Sequence, residues 1–151
     1  MEENLYNIQE ISSYREGNRL EAKKAKGGIP NSMWETYSSF ANTDGGIILL
    51  GVDEKEDGSF EVSGVQNADQ MLKDFWNMVN NRQKINVNLL VEKDVTVEDY
   101  EGKKVISIRV PRADRYLRPV YVGQDPMSGS YRRNGEGDYH CSHEEVSAMY
   151  R

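Results

Sequence analysis

The run Trp34–Asp53, WETYSSFANTDGGIILLGVD, constrains the fold of this chain more than any other segment. A stretch with helical apolar spacing closes on the polar turn Asn42-Thr43-Asp44-Gly45-Gly46, and the near-continuous apolar run Ile47–Val52 follows. The pattern predicts a helix, a glycine turn that caps it, and a buried central strand with Asp53 just past its end. A carboxylate carried this way is aimed from a rigid scaffold, where sites are built.

The flanking segments predict the partners of that unit. Leu5, Ile8 and Ile11 have helical spacing over Leu5–Ser13, and Arg19–Ala25 alternates as a strand, with Leu20 and Ala22 on one face and Glu21 and Lys23 on the other. Gly27-Gly28 breaks it, and Ser32-x-x-Glu35 has capping-box form at the start of the next helix, whose buried stripe is Met33, Tyr37, Phe40 and Ala41. Lys55–Gly58 reads as a hairpin turn into a strand at 59–62, and Met71, Leu72, Phe75, Trp76 and Val79 mark a second long helix over Ala68–Asn81. Strands are expected at Val87–Val97 and Lys104–Val110, joined through Tyr100–Lys103, and shorter ones at Pro119–Val122 and Ser130–Arg133 around a Gly123–Gly129 loop. Ser142-x-x-Glu145 opens a helix expected to be still running at Arg151, as in a piece of a longer protein. The class is α+β: one mixed sheet with helices packed on it, in a single domain over 1–151.

Composition narrows the function classes. The longest apolar run, Ile47–Leu50, is far too short to span a membrane, and no basic start precedes an apolar stretch as in a secretory signal. The one cysteine, Cys141, has no partner for an internal disulfide, and the expectation is a cytoplasmic protein. The net charge of −6 opposes indiscriminate nucleic-acid binding. Its distribution does not. Ser12–Lys26 holds five basic residues (Arg15, Arg19, Lys23, Lys24, Lys26) against Glu16 and Glu21, and Arg109–Pro119 holds four arginines (Arg109, Arg112, Arg115, Arg118) against Asp114, a local charge of +3 in each case.

Two candidate sites follow from the residues. Arg15, Arg19, Lys23, Lys24, Lys26, Arg112, Arg115 and Arg118 form a set suited to phosphates, with Tyr116, Tyr121 and Tyr131 interleaved to stack on bases; a solvated charged face is the alternative. Glu16, Glu21 and Asp53 converge if their strands are neighbours, and clustered carboxylates hold a divalent cation such as Mg²⁺ or Mn²⁺ that can drive hydrolysis; ordinary surface acids are the alternative. The Asn42–Gly46 turn follows a helix rather than opening one, so it reads as a C-cap and not a phosphate loop. His140-Cys141-Ser142-His143 matches no zinc spacing and offers no orienting group for a cysteine nucleophile.

Several ordered motifs carry a family resemblance. Glu16–Lys23 is similar to an E-x-x-x-x-E-x-K element. Ser38–Gly46, followed by Leu50-Gly51-Val52-Asp53, resembles S-A-F-A-N-T-x-G-G and its G-V-x-(D/E) strand end. Val110-Pro111, Arg118-Pro119-Val120-Tyr121, Tyr131-Arg132-Arg133 and Gly137-Asp138-Tyr139 resemble the V-P, R-P-V-Y and Y-x-R elements. Together these resemble the AlbA_2 domain, also called the Schlafen AlbA_2 domain, over Glu16–Tyr150. The departures, Ala22 and Ser39, read as packing variation. The resemblance implies a compact α+β domain that binds DNA, usually N-terminal in bacterial transcriptional regulators or helicase-like proteins and followed by a winged-helix region. It adds Arg132 and Arg133 to the nucleic-acid-binding set. In the Schlafen branch it implies RNA cleavage by three carboxylates, which fall here on Glu16, Glu21 and Asp53, in a cleft between two lobes; a single lobe would need a homodimer, or a further region of a longer protein, to complete the cleft. Three functions therefore compete: DNA binding in a transcriptional regulator, metal-dependent RNA cleavage, and a scaffold for dimerisation or partner binding.

Overall fold

The computed structural model describes residues 6–151; Leu5, placed by its spacing in the first helix, lies outside the described residues. The rest of that segment forms a 3₁₀ turn at Ile8–Ser13, capped by the Asn7 side chain. The strands are β1 (Leu20–Lys23), β2 (Gly46–Leu50), β3 (Val52–Glu54), β4 (Phe60–Val62), β5 (Val95–Tyr100), β6 (Lys103–Val110), β7 (Tyr131–Asn134) and β8 (Gly137–His140). The helices are α1 (Ser32–Asn42), α2 (Ala68–Val79), the single turn α3 (Pro126–Gly129) and α4 (His143–Met149).

One four-stranded sheet, in the order β1-β2-β6-β5, pairs β1 parallel to β2 and the rest antiparallel; β3–β4 and β7–β8 are separate hairpins. Alternation along the strands splits the apolar residues between two faces. Ile48, Leu50, Ile106 and Ile108 meet α1 and α2 on one, while Ala22, Ile47, Leu49 and Val105 meet the 3₁₀ turn and the β3–β4 hairpin on the other. α1 is buried beyond its expected stripe: Trp34, Thr36, Ser38, Ser39 and Asn42 are also enclosed. Trp34 stacks on Phe75 of α2 with centroids 5.7 Å apart, and each such buried side chain contributes about 1.5–3 kcal/mol.

Several expectations need correction. The Ser32–Glu35 box does not form: the residue before the helix, Asn31, makes no side-chain cap, and the Ser32 hydroxyl accepts from Lys23 Nζ at 3.1 Å. The segment before β5 is not a strand, because side chains satisfy its backbone: the Tyr37 hydroxyl accepts from Leu89 N–H and donates to the Val87 carbonyl, and Asn88 accepts from Leu90 N–H. Residues 119–122 make only isolated bridges, Ile85 to Val122 and Tyr121 to Ser130. β8 is a strand beyond those expected, and α4, opened by the expected Ser142–Glu145 capping box, ends at Met149 with Tyr150 as its cap.

The central strand also ends sooner than its apolar run. Gly51 adopts φ +101° and swings the chain out of the sheet into the β3–β4 hairpin. Its carbonyl accepts from Ser63 and Gly64, and a side chain there would lie 3.2 Å from the Lys104 carbonyl. Glycine alone suits that conformation and approach.

Candidate functional site

The Phe40–Gly46 segment ties distant parts of the chain together. Asn42 donates to the carbonyls of Val120 and Tyr131, both at 2.9 Å, and accepts from Val120 N–H at 2.8 Å. The Ala41 carbonyl accepts from Ala113 N–H, and the Thr43 hydroxyl from Arg133 N–H. Gly45, at φ +76°, packs so closely on β6 that a side chain would lie 2.9 Å from the Val110 carbonyl. The turn thus works as a helix cap whose polar groups are taken up by the protein itself.

Arg133 is the centre of that arrangement and is 4% exposed. It pairs with Glu21 and Asp138, each at 2.8 Å, donates to the Gly17 carbonyl at 2.9 Å, and lies 4.8 Å over the Phe40 ring. Asp138 also accepts from Thr36 and Ser39. Arg133 therefore leaves the nucleic-acid-binding set: its charge faces inward, where three partners offset its desolvation. Arg132, half-buried, pairs with Glu145 at 3.3 Å and has its guanidinium 5.7 Å from the Tyr139 ring.

The carboxylates gather differently from the sequence expectation. Among the described residues, Glu16, Glu54 and Glu136 bring oxygens within 4.8 Å of one another. They come from the segment before β1, the end of β3 and the β7–β8 turn. Burial, countered in part by a hydrogen bond from Ala22 N–H and reinforced by Glu21 and Glu54, pushes Glu16 up to about 7. Glu54 is raised too, by partial desolvation and by the charge of Glu136. Glu21 lies beside the cluster, committed to Arg133 and to Lys23 at 3.3 Å. Asp53 instead faces the opposite side of β3 from Glu54, accepts from the Ser63 hydroxyl at 3.1 Å and stands opposite Glu61 in the backbone register of the hairpin. The turn at Gly51 is the reason.

The basic residues divide as well. β2 and β6 pair Gly46 with Val110 at the sheet end where Arg19 enters β1, so the chain leaves β6 toward Arg112–Arg118 beside Arg19. There Arg19, Lys93, Arg109 and Arg112 line a groove of about 720 Å³ with Ile47, Leu89 and Val110, and with Asp44 and Asp94 as counter-charges. Arg115 and Arg118 continue the strip to Arg151, whose carbonyl accepts from Arg115 at 2.9 Å. Burial, and then the neighbouring Arg112, lowers the Arg118 pKa, yet a guanidinium stays charged. Lys23 sits at the other end of β1, opposite Leu50, with exposed Lys24 and Lys26 beyond it. Arg15 lies in the acidic pocket with Glu16, Glu54 and Glu136. Tyr121 and Tyr131 are half-buried, and Tyr131 packs 4.4 Å from the His140 ring. Cys141 is buried, which pushes its thiol up to about 11, the reverse of an activated nucleophile.

The family model described as Schlafen, AlbA_2 matches residues 16–142. The solution structure of the N-terminal domain of an ATP-dependent DNA helicase RecG-related protein from Nitrosomonas europaea is 32% identical, with a TM-score of 0.64 over 89% of this chain and 90% of that one. The DIP2311 protein from Corynebacterium diphtheriae shares the fold at 18% identity and a TM-score of 0.55; the match covers 82% of this chain and only 22% of that protein. No curated protein matches the sequence. No helix among the described residues is long and apolar enough to cross a membrane.

Proposed function

Because the chain belongs to the Schlafen, AlbA_2 family, we propose that it is a DNA-binding domain of a cytoplasmic transcriptional regulator, with Arg19, Arg112, Arg115 and Arg118 on phosphates. The carrying observation is the strip itself: cations from two distant stretches meet at one sheet end, in a protein whose net charge is −6. Phosphate binding needs such local concentration of positive charge. The kinship of a 32%-identical relative with a DNA helicase points the same way. Charge reversal tests it: Arg115→Glu with Arg118→Glu should weaken DNA binding at least tenfold, or about 1.4 kcal/mol, in fluorescence anisotropy. Undiminished binding would remove the proposal.

One observation favours a second reading, metal-dependent RNA cleavage. Glu16, Glu54 and Glu136 offer oxygen donors suited to Mg²⁺ or Mn²⁺, and their mutual repulsion is what an ion relieves. A bound ion would supply water activation and charge neutralisation at phosphate; Glu21, held by Arg133, would keep the pocket's shape. Metal-dependent cleavage of structured RNA, abolished by Glu54→Gln and retained by Asp53→Asn, is the outcome this reading requires.

A further inference from the structure

The loop that follows β6 carries Tyr116, 86% exposed and the most exposed of the large apolar side chains among the described residues, with exposed Leu117 beside it. The tip is nevertheless held in place. The Asp114 side chain accepts from Tyr116 N–H at 3.1 Å, the Asp114 carbonyl accepts from Leu117 N–H at 2.8 Å, and buried Ala113 anchors the loop on the Ala41 carbonyl at 2.8 Å. A fixed tip loses little conformational freedom on binding. The Arg115 guanidinium lies 5.7 Å from the Tyr116 ring, and Arg112 and Arg118, which flank the tip in the chain, act on one another electrostatically beside Arg115.

We infer that Tyr116 is a stacking platform for an unpaired base of single-stranded DNA, with the flanking arginines on its phosphates. Every unpaired base presents a π-face that a paired, stacked base hides, and aromatic side chains between cations are the means by which single strands are held. Charge argues against two copies of this chain pairing symmetrically through this loop, since like arginines would meet across such an interface. The inference rests on the DNA-binding reading and deepens it by naming the form of the nucleic acid.

Fluorescence anisotropy with a short labelled single strand and a hairpin duplex of the same sequence tests it. Tyr116→Ala should weaken single-strand binding about tenfold, Tyr116→Phe should stay within about twofold of the wild type, and the duplex should change by less than about twofold with either. Equal losses on both forms, or an unchanged single-strand affinity, would overturn the inference while leaving DNA binding intact. A sedimentation dimer that Tyr116→Ala dissolves would also overturn it, in favour of self-association. Failure of the wild type to bind either oligonucleotide would instead overturn the parent reading.

Discussion

The acidic cluster and the basic strip both draw on the segment that enters β1, Glu16 for one and Arg19 for the other, yet they are built by opposite means. The cluster hangs on a buried framework, in which Arg133, Glu21 and Asp138 join the β7–β8 hairpin to β1 and α1. The strip is made of side chains that largely face solvent and need only a correctly placed backbone. Charge enclosed in protein is a structural commitment, while charge left in water remains free for a ligand. Arg19 and Arg133, both drawn into the sequence-level basic set, fall on the two sides of that division: Arg19 is exposed and Arg133 is enclosed by Glu21 and Asp138.

Arg133 is the side chain whose loss costs the buried framework most. Arg133→Ala leaves Glu21 and Asp138 without their buried partner and should destabilise the fold by about 3–5 kcal/mol in urea denaturation; a loss near zero would mean the framework is not what holds the hairpin. Next in size is the ion. Glu54→Gln should reduce Mn²⁺ affinity about tenfold in calorimetry, as expected when one of three charged oxygen ligands is lost, and Asp53→Asn should not change it; the reverse pattern would restore Asp53 to the cluster.

Third comes pH. The folded state raises Glu16 from its ordinary 4.5 to about 7, so the fold holds this proton more tightly than the unfolded chain. Its stabilising contribution is complete below about pH 4.5 and is lost as pH rises through about 7. Solvent screening at this half-buried group limits the loss to on the order of 1 kcal/mol, and Glu16→Gln should flatten it; a stability that rises over that range in the wild type alone would contradict the assignment. The smallest effect belongs to the strip: Arg115→Glu with Arg118→Glu should shift stability by no more than about 0.5 kcal/mol, and a large shift would make those arginines structural.

Much of this was legible in the sequence because it rests on local chemistry. The helix ending at Asn42, the buried strand after Gly46 and α2 follow from apolar spacing and a glycine turn, and the family resemblance was carried by those same residues. What escaped depends on one backbone angle or on long-range pairing. A φ of +101° at Gly51 decided between Asp53 and Glu54, and an apolar run gives no sign of it, although a glycine inside a strand pattern is a cue. β8 is Gly-Asp-Tyr-His, half of it exposed and without alternation, so the only cue to the hairpin that delivers Glu136 is its turn, where Gly135 follows Asn134 and adopts φ +62°. The burial of Arg133 was hidden because its carboxylate partners are 112 and 5 residues away in the chain, beyond what spacing conveys.

The most direct test of the central claim is a salt series for DNA binding by the wild type and by the Arg115→Glu, Arg118→Glu variant. The account predicts that log affinity falls linearly with log salt, and that the variant's slope is shallower by roughly 1.4–1.8 for two lost phosphate contacts. An affinity indifferent to salt, or identical slopes for the two proteins, would contradict it.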